Sequence, residues 1–391
     1  MHVLDEAQQL YDELVAWRRD LHQHPEIGLE EHRTAAFVAE TLRNLGYTVE
    51  TGIAQTGVVG LLENGAGPVI MNRVDMDALP IQEENDVPYA SEIPGMMHAC
   101  GHDAHVAIGL GIAKLMIEHR EAWRGTLKLI FQPGEEGMNG AEIMVNEGVL
   151  ENPRPDKALA IHVWNMMPVG VIGAVPGPVM AAAERWQAEL HGKGGHAAHP
   201  EDTIDPLVAA AHVVTALQTV VSRNVGAQET AVVTVGMLRS GDTFNVIPDT
   251  AELRGTIRTY DPEVRETVVT RVREIVTGVG QAMDCDVDFQ LDALTPAVDN
   301  DAEVTRLVQE VVTDLWGADA LDTEERTMGS EDAAFFLDKI PGCYIFIGSG
   351  PEGGEGPPHH NPHFDIEEQA LVNGVAVVVE ALCRLMPAGE G

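Results

Sequence analysis

The sequence is short of basic residues: 24 Lys and Arg stand against 62 Asp and Glu, giving a formal net charge of −38 at pH 7. A surface this acidic repels phosphate groups, which argues against nucleic acid or an anionic membrane as a partner. An anionic small-molecule substrate would therefore need a local positive charge at its binding site. Aromatic residues make up only 5% of the chain, but the 45% hydrophobic content is enough for a large core.

Long apolar runs and cysteine pairs are also missing. No run of 18 or more apolar residues occurs, so no membrane span is predicted. Residues 1–6 are acidic and lack the basic start and apolar run of a secretory signal, which predicts a cytoplasmic protein. Cys100, Cys285, Cys343 and Cys383 have no CxxC spacing, which argues against a disulfide framework. Of the four, Cys100 has the polar, ligand-type neighbours.

Residues 97–105 are the densest group of potential metal ligands, with His, Cys or Asp at five of nine positions. Cys100 and His102 can reach the same ion if the backbone loops, and Gly101 between them permits that shape. The alternative is a buried cysteine beside the start of a helix that Asp103 caps. The two interpretations are compatible, with ligands on the loop and the cap directly behind them.

The alternation of strands and helices predicts an α/β fold with two domains. Residues 1–182 and 293–391 are expected to form a catalytic domain around a mainly parallel sheet. Residues 183–292 follow the order strand-helix-strand-strand-helix-strand, which is typical of an α+β split βαβ, or ferredoxin-like, domain. We expect this domain to be inserted into the first.

Polar clusters follow several predicted strands, at 73–77, 132–137, 162 and 359–363. Taken singly, each has an ordinary structural explanation, such as a turn, a solvated charge pair or a satisfied core histidine. The C-terminal ends of parallel strands meet at one edge of a sheet, so we expect the clusters to converge. Together they supply sulfur, nitrogen and oxygen donors for one or two divalent ions: Cys100, His102, Glu136, His162 and His360.

Two adjacent glutamates in a glycine-flanked turn suggest a division of roles. One of the two can bind a metal ion while the other accepts a proton. A metal ion lowers the pKa of bound water to roughly 7. A neighbouring carboxylate can then act as general base and return the proton to a departing amine.

The motifs occur in a fixed order along almost the whole chain: HQHPE at 22–26, RVDMDALP at 73–80, MHACGHD at 97–103, QPGEEG at 132–137, GGHA at 194–197 and HNP at 360–362. With them, the sequence resembles the aminoacylase and carboxypeptidase family of dinuclear metallohydrolases. It is similar in particular to the amidohydrolase branch, which includes hippurate hydrolases and auxin-conjugate hydrolases. The resemblance implies a metal-dependent enzyme that cleaves linear amide bonds.

The resemblance also implies roles for individual residues. Cys100 matches a bridging ligand, the other four donors match the remaining ligands, and Glu135 matches the general base. Asp75 and Asp77 match residues that orient the ligands. The wider family has His at the position of Arg73 and a bridging Asp at that of Cys100, so this sequence follows its branch. The departure leaves open whether one or two ions bind per subunit, and whether they are Zn, Mn, Ni or Co.

The inserted domain contributes three further candidates by resemblance. His196 matches a histidine that stabilises the developing oxyanion, and its alternative is an ordinary turn histidine. Asn245 and Arg258 match a pair near the substrate carboxylate, although Arg258 could instead form a salt bridge on a strand face. The resemblance further implies that this domain serves as a lid or dimerisation domain, so a homodimer or higher homo-oligomer is expected.

The preferred hypothesis is hydrolysis of N-acyl-L-amino acids, hippurate-like or N-acetylated, to a carboxylic acid and a free amino acid. The substrate would be a small molecule. Two alternatives stay open at this point. One is a related enzyme, either a metallo-carboxypeptidase or dipeptidase or a dedicated deacetylase of a biosynthetic intermediate. The other is a metal-binding protein without catalytic activity.

Overall fold

A computed structural model describes residues 3–353 and 356–388 of the chain. It separates into two compact units. The first contains Met1–Val179, Asp299–Arg326 and Asp332–Gly391, and the second contains Met180–Val298 and Thr327–Glu331. That the second unit serves as a lid or dimerisation domain stays a prediction.

The helices are α1 Val3–Gln9, α2 Tyr11–Gln23, α3 His32–Asn44, α4 His102–Glu118, α5 Glu135–Met138, α6 Gly140–Asn146, α7 Pro206–Asn224, α8 Pro262–Ala282, α9 Ala302–Trp316, α10 Ala334–Leu337 and α11 Gln369–Leu385. The strands are β1 Thr48–Ile53, β2 Gly57–Asn64, β3 Val69–Asp75, β4 Gly125–Gln132, β5 Lys157–Pro168, β6 Ile172–Gly173, β7 Gly177–Met180, β8 Ala182–His191, β9 Gly195–His196, β10 Ala231–Arg239, β11 Val246–Ile247, β12 Thr250–Thr259, β13 Asp286–Thr295, β14 Val298–Asn300, β15 Leu321–Asp322 and β16 Gly342–Gly350.

The first unit is built on an eight-stranded sheet in the order β1-β2-β4-β3-β5-β16-β6-β15. Its central strands β4, β3, β5 and β16 run parallel, while β1 and β2 add an antiparallel edge. Parallel strands need crossovers that place helices over the sheet, which explains why these strands are buried along most of their length. The α/β class predicted from the sequence is confirmed.

Two apolar helices form much of the core of the first unit. α4 and α11 are buried along most of their lengths, and they pack on each other and on strands β3 and β16. The first residue of α4, His102, lies beside Asp75 at the C-terminal end of β3. Within residues 3–353 and 356–388, no helix combines the length and the apolar character needed to cross a membrane.

The second unit is a four-stranded antiparallel sheet in the order β10-β12-β8-β13, with α7 and α8 packed on it. Asp205 and Asp261 cap the two helices, each accepting two backbone N–H groups of the first turn. A proline follows each cap at the first helical position, where its missing N–H costs no hydrogen bond. The connectivity is that of the predicted split βαβ domain.

Candidate metal centre

The first candidate ligands lie where the loop 97–101 enters α4. The helix begins at His102, earlier than expected, and no side chain caps it. Gly101 precedes it with φ of +88°, a left-handed conformation that favours glycine. A Cβ atom at this position would also lie 2.3 Å from Cγ2 of Val163. Glycine therefore lets the loop turn tightly against strand β5, with Cys100 and His102 on either side of the turn.

Asp103 does not cap α4. Its carboxylate instead accepts hydrogen bonds from Arg18, at 2.9 Å, and from the side chain of His22, at 2.8 Å. All three residues are buried, so the start of α4 is tied to α2 through charged groups inside the protein.

The imidazole of His102 is oriented by Asp77. Nδ1 of His102 lies 3.1 Å from Oδ1 of Asp77, while its Nε2 is buried and has no hydrogen-bond partner. An imidazole held by a carboxylate on one nitrogen, with the other nitrogen bare, is the arrangement of a metal-binding histidine. The second oxygen of Asp77 accepts the backbone N–H of Glu136 at 2.9 Å. Asp77 thus positions two of the predicted ligands.

Cys100 lies at the centre of two groups of donor atoms. Its sulfur and donor atoms of His102 and Glu136 all lie within 4.8 Å of one another. The same holds for the sulfur and donor atoms of His162 and His359. Nε2 of His162 is 3.5 Å from the sulfur, and its Nδ1 lies 2.6 Å from the carbonyl oxygen of Val163. Nδ1 therefore carries the proton, which leaves Nε2 of His162 free to face a metal ion.

His360 joins the cluster through Glu136. Its Nε2 lies 3.0 Å from Oε1 of Glu136, and its backbone N–H donates to Ala99 at 2.8 Å. The structure therefore brings all five predicted ligands into one region. Sequence reasoning did not single out His359, the neighbour of His360, although both lie in the same histidine-rich motif.

The charges around the cluster suit a bound cation. Burial raises the pKa of Cys100 well above its usual value, and Glu136 and Glu135 raise it further. Burial would lower the pKa of His102, but Asp75, Asp77 and Glu136 raise it to about 10. A nearby metal ion would stabilise the thiolate and take the place of the extra proton. Burial, together with His105 and His359, lowers the pKa of His162 and keeps that imidazole in the neutral, ligating form.

The Gln132–Gly137 turn is held from three sides. Gly134 donates its N–H to Glu31 at 2.8 Å, and Asp332 binds the side chain of Gln132 and, just beyond the turn, the N–H of Ala141 at 2.9 Å. Asp77 holds the N–H of Glu136, as described above. The backbone of Glu136 is not helical, with φ of −70° and ψ of 68°, so the regular spacing of side chains is broken directly after Glu135. Donor atoms of Glu136 group with those of Cys100 and His102, whereas a donor atom of Glu135 groups with one of Asp332.

Neither Glu31 nor Asp332 was predicted as a site residue. Both are buried, and both lie far from the turn in sequence. Asp332 also accepts from the side chain of Gln132 at 2.6 Å. No local motif in the sequence indicated these contacts, because they depend on the tertiary fold.

Asp75 lies beside the cluster, with its Oδ2 3.8 Å from Nε2 of His102. Its two oxygens lie 2.5 Å from Nδ1 of His105 and 2.7 Å from a guanidinium nitrogen of Arg73. Nε2 of His105 accepts the backbone N–H of Val163 at 2.8 Å, which fixes that ring beside His162. Burial would raise the pKa of Asp75, but His102, His105 and Arg73 lower it.

The three remaining candidates belong to the second unit. His196 is exposed in β9, opposite Val246 of β11, and its Nδ1 accepts the N–H of Ala198 at 3.0 Å. Asn245 is exposed as well. Arg258 is half-buried on β12, and burial lowers its pKa while Glu184 opposes the shift. Their roles toward a substrate stay predictions.

An α/β unit that gathers a thiolate, imidazoles and carboxylates at the ends of parallel strands has the features of a metallohydrolase. The profile of Peptidase family M20/M25/M40 matches residues 71–384. The chain is 38% identical over 382 residues to the N-acetyl-L-cysteine deacetylase of Bacillus subtilis, covering 97% of this chain and 90% of that protein. It is 37% identical over 388 residues to the IAA-amino acid hydrolase ILR1-like 4 of Arabidopsis thaliana, covering 98% and 88%.

A solved relative shows the same architecture. The crystal structure of the Bacillus subtilis YXEP protein, a dinuclear metal binding peptidase of this family, superposes with a TM-score of 0.86 and 32% identity. The match covers 97% of this chain and 99% of that one. The chain therefore belongs to the M20 peptidase family and is a hydrolytic enzyme, as the sequence resemblance predicted. A role as a metal-binding protein without catalytic activity is set aside.

Proposed function

We propose that this chain is a metal-dependent amidohydrolase that cleaves N-acyl-L-amino acids to a carboxylic acid and a free amino acid. The observation that carries the proposal is the group of buried Cys100 and His102 with partly buried Glu136, next to Glu135 on a turn held by hydrogen bonds. The names of the deacetylase and of the IAA-amino acid hydrolase described above support this substrate class.

The metal would be held by the five predicted ligands. Their nitrogen, sulfur and carboxylate donors fit a borderline divalent ion such as Zn, Mn, Ni or Co. When bound, the metal supplies a Lewis acid and lowers the pKa of water. Metal analysis of protein purified without chelator identifies the ion and distinguishes one per subunit from two.

The protein side chains supply proton transfer and orientation. Glu135 removes a proton from the attacking water and delivers it to the departing amide nitrogen, which must leave as an amine. Asp77 keeps His102 and Glu136 in place. From the resemblance, His196 is proposed to stabilise the oxyanion, and Arg258 with Asn245 to bind the α-carboxylate. Arg258 would thereby supply the positive charge that an acidic protein needs for an anionic substrate.

The test is a substrate panel of hippurate, N-acetyl-amino acids and dipeptides, run with apo and metal-reloaded enzyme. We expect turnover of one or more N-acyl-amino acids that is lost with chelator and restored by metal. Cys100→Ser is expected to lose metal and turnover, while the matched variant Cys383→Ser retains both. Reloaded wild-type enzyme that hydrolyses no member of the panel would refute the proposal.

A peptidase activity is the second candidate, favoured by the description of the Bacillus subtilis YXEP protein as a peptidase. The same panel decides between them, because a carboxypeptidase or dipeptidase cleaves the dipeptides with a higher kcat/KM than hippurate. A dedicated deacetylase would instead prefer a single N-acetylated member. A homodimer also stays a prediction, which sedimentation velocity measures directly.

A further inference from the structure

His359 lies against Cys100 in an aromatic pocket. Its Nδ1 is 3.8 Å from the cysteine sulfur. Its ring stacks on Trp164 with centroids 4.8 Å apart, and it contacts Phe364 at 5.0 Å on another side. The backbone N–H of the next residue is hydrogen-bonded to Ala99, as noted above, so the main chain is held beside the Cys100 loop. The ring therefore has a fixed orientation toward the sulfur.

Two roles are compatible with this distance. His359 could bind a metal ion through Nδ1, since donor atoms of Cys100, His162 and His359 lie within 4.8 Å of one another. Alternatively, it could donate an N–H group from Nδ1 to the sulfur. A neutral imidazole carries one proton, so the partner of Nε2 decides between the two roles.

That partner is a backbone N–H of strand β5. The pairing of β5 with β3 reaches Arg73 opposite Ala160. Beyond it, Val163 donates to Nε2 of His105 at 2.8 Å, and Asn165 donates to Nε2 of His359 at 3.4 Å. Two imidazoles thus act as hydrogen-bond acceptors for β5 beyond the point where its pairing with β3 ends.

The acceptor role of Nε2 fixes the tautomer. If Nε2 of His359 accepts from Asn165, the proton of the ring is on Nδ1, which faces the sulfur. If Nδ1 bound a metal ion instead, Nε2 would carry the proton and face the N–H of Asn165. Two donors would then oppose each other and leave the buried N–H of Asn165 without an acceptor, which is costly. His105 follows the same rule, with its Nδ1 against Asp75.

We propose that His359 is a positioning residue that donates its Nδ1–H to the sulfur of Cys100 and is not itself a metal ligand. The proposal rests on the proposed metal site. A hydrogen bond to a thiolate withdraws electron density from the sulfur, as it does at iron–sulfur centres. The metal held by Cys100 would then receive less charge and remain the stronger Lewis acid.

The test uses cobalt-loaded protein and three substitutions. His359→Leu removes the donor. His359→Asn keeps one, because the amide nitrogen of asparagine takes the place of Nδ1. His363→Leu is the matched control, since His363 is exposed and its nearest acidic group, Glu84, lies 3.3 Å away at the surface. The measurements are the sulfur-to-cobalt charge-transfer band, the cobalt stoichiometry and the cobalt dissociation constant.

We expect His359→Leu to keep the full cobalt stoichiometry, to shift the band to lower energy and to weaken binding about 10–100-fold, the usual effect of losing a group that orients a ligand. In His359→Asn the band position and the cobalt affinity should both be close to those of wild type, and His363→Leu should match wild type. An unshifted band in His359→Leu would overturn the proposal. Loss of a cobalt ion from both the Leu and the Asn variants would make His359 a ligand and overturn it too.

The readouts separate this proposal from the proposed function. The charge-transfer band needs only cobalt and a thiolate, so an enzyme without activity toward any tested amide can still show the shift. If wild-type protein shows no such band, the proposed thiolate ligation and the role of His359 both fail. If His359→Leu does not fold, His359→Gln replaces it, because its amide reaches toward Asn165 and leaves the sulfur without a donor.

Discussion

Each unit contains an ion pair of ordinary length, one in the interior and one at the surface. In the first, Arg18 is fully buried and binds Asp103 and Asp365 at 2.9 and 2.7 Å. In the second, Arg185 pairs with Asp292 at 2.8 Å across neighbouring strands, but both side chains are more than half exposed. The distances are alike, while the surroundings are not.

The difference shows which ion pairs hold their side chains in a fixed geometry. A buried charge must keep its partner, because an unpaired charge in the interior costs several kcal/mol. An exposed ion pair has water as an alternative and contributes roughly 0–1 kcal/mol. The first unit therefore builds its candidate metal centre on groups that cannot easily move, whereas His196 and Asn245 of the second unit lie at the surface. Substitutions in the two units should differ accordingly.

The largest effect is expected at Glu135. Glu135→Gln removes the proposed general base but keeps the size of the side chain, so kcat should fall by about 10²–10⁴-fold while the metal content stays unchanged. Steady-state kinetics on the best substrate of the panel, with metal analysis of the same sample, measures both. Glu136→Gln should instead lose metal, and Glu63→Gln, exposed on β2, should change neither. Near-normal turnover in Glu135→Gln would remove Glu135 from the mechanism.

The next effect concerns the stability of the first unit at high pH. Burial would lower the pKa of His22, but the charge and hydrogen bond of Asp103, together with Glu83, raise it to about 9. Because the folded pKa exceeds the unfolded one, the imidazolium stabilises the fold fully below pH ~6.5. This contribution is lost as the pH rises through about 9. The shift corresponds to about 3 kcal/mol at most.

The measurement is the free energy of unfolding in urea between pH 6 and pH 10. His22→Asn keeps a neutral donor near Asp103 and does not titrate, so it is the reference. We expect the stability difference between wild type and His22→Asn to shrink as the pH rises. A difference that is constant over this range would show that His22 is not charged in the folded protein.

A smaller effect is expected at Asp77, which orients His102 and the backbone of Glu136. Asp77→Asn should weaken metal binding by about 10–100-fold, since it removes the charge that holds the imidazole. Competition with a chromophoric chelator gives the dissociation constant. Asp86→Asn, an exposed control, should bind metal like wild type. Unchanged affinity in Asp77→Asn would mean that the fold alone positions His102.

The convergence of the ligands was predictable from the sequence. Cys100, Glu136 and His162 follow or adjoin strands of a predicted parallel sheet, and the C-terminal ends of such strands share one edge. The order of helices and strands also predicted the split βαβ unit. These inferences depend on local patterns and on one general rule of sheet topology, so a single sequence is sufficient for them.

The residues that hold the candidate ligands in place could not be predicted from the sequence. Glu31 and Asp332 hold the glutamate turn from positions far along the chain, and a carboxylate without a motif looks like any other acidic residue. The two neighbouring histidines pose a different problem. His359 and His360 have the same chemistry, and the contacts that distinguish the roles we propose for them, such as the Asn165 N–H, exist only in the folded protein.

The smallest effect is expected on the exposed sheet face of the second unit. Arg185→Gln removes the pair with Asp292, and the free energy of unfolding of that unit should change by less than about 1 kcal/mol. The small difference should vanish in 1 M NaCl, where the screening length is about 3 Å. Urea unfolding at low and high salt measures it, with Arg154→Gln, an exposed residue of the first unit, as the matched control. A loss of several kcal/mol in Arg185→Gln would break the contrast between the two ion pairs, because it would show that exposure to water does not make this pair weak.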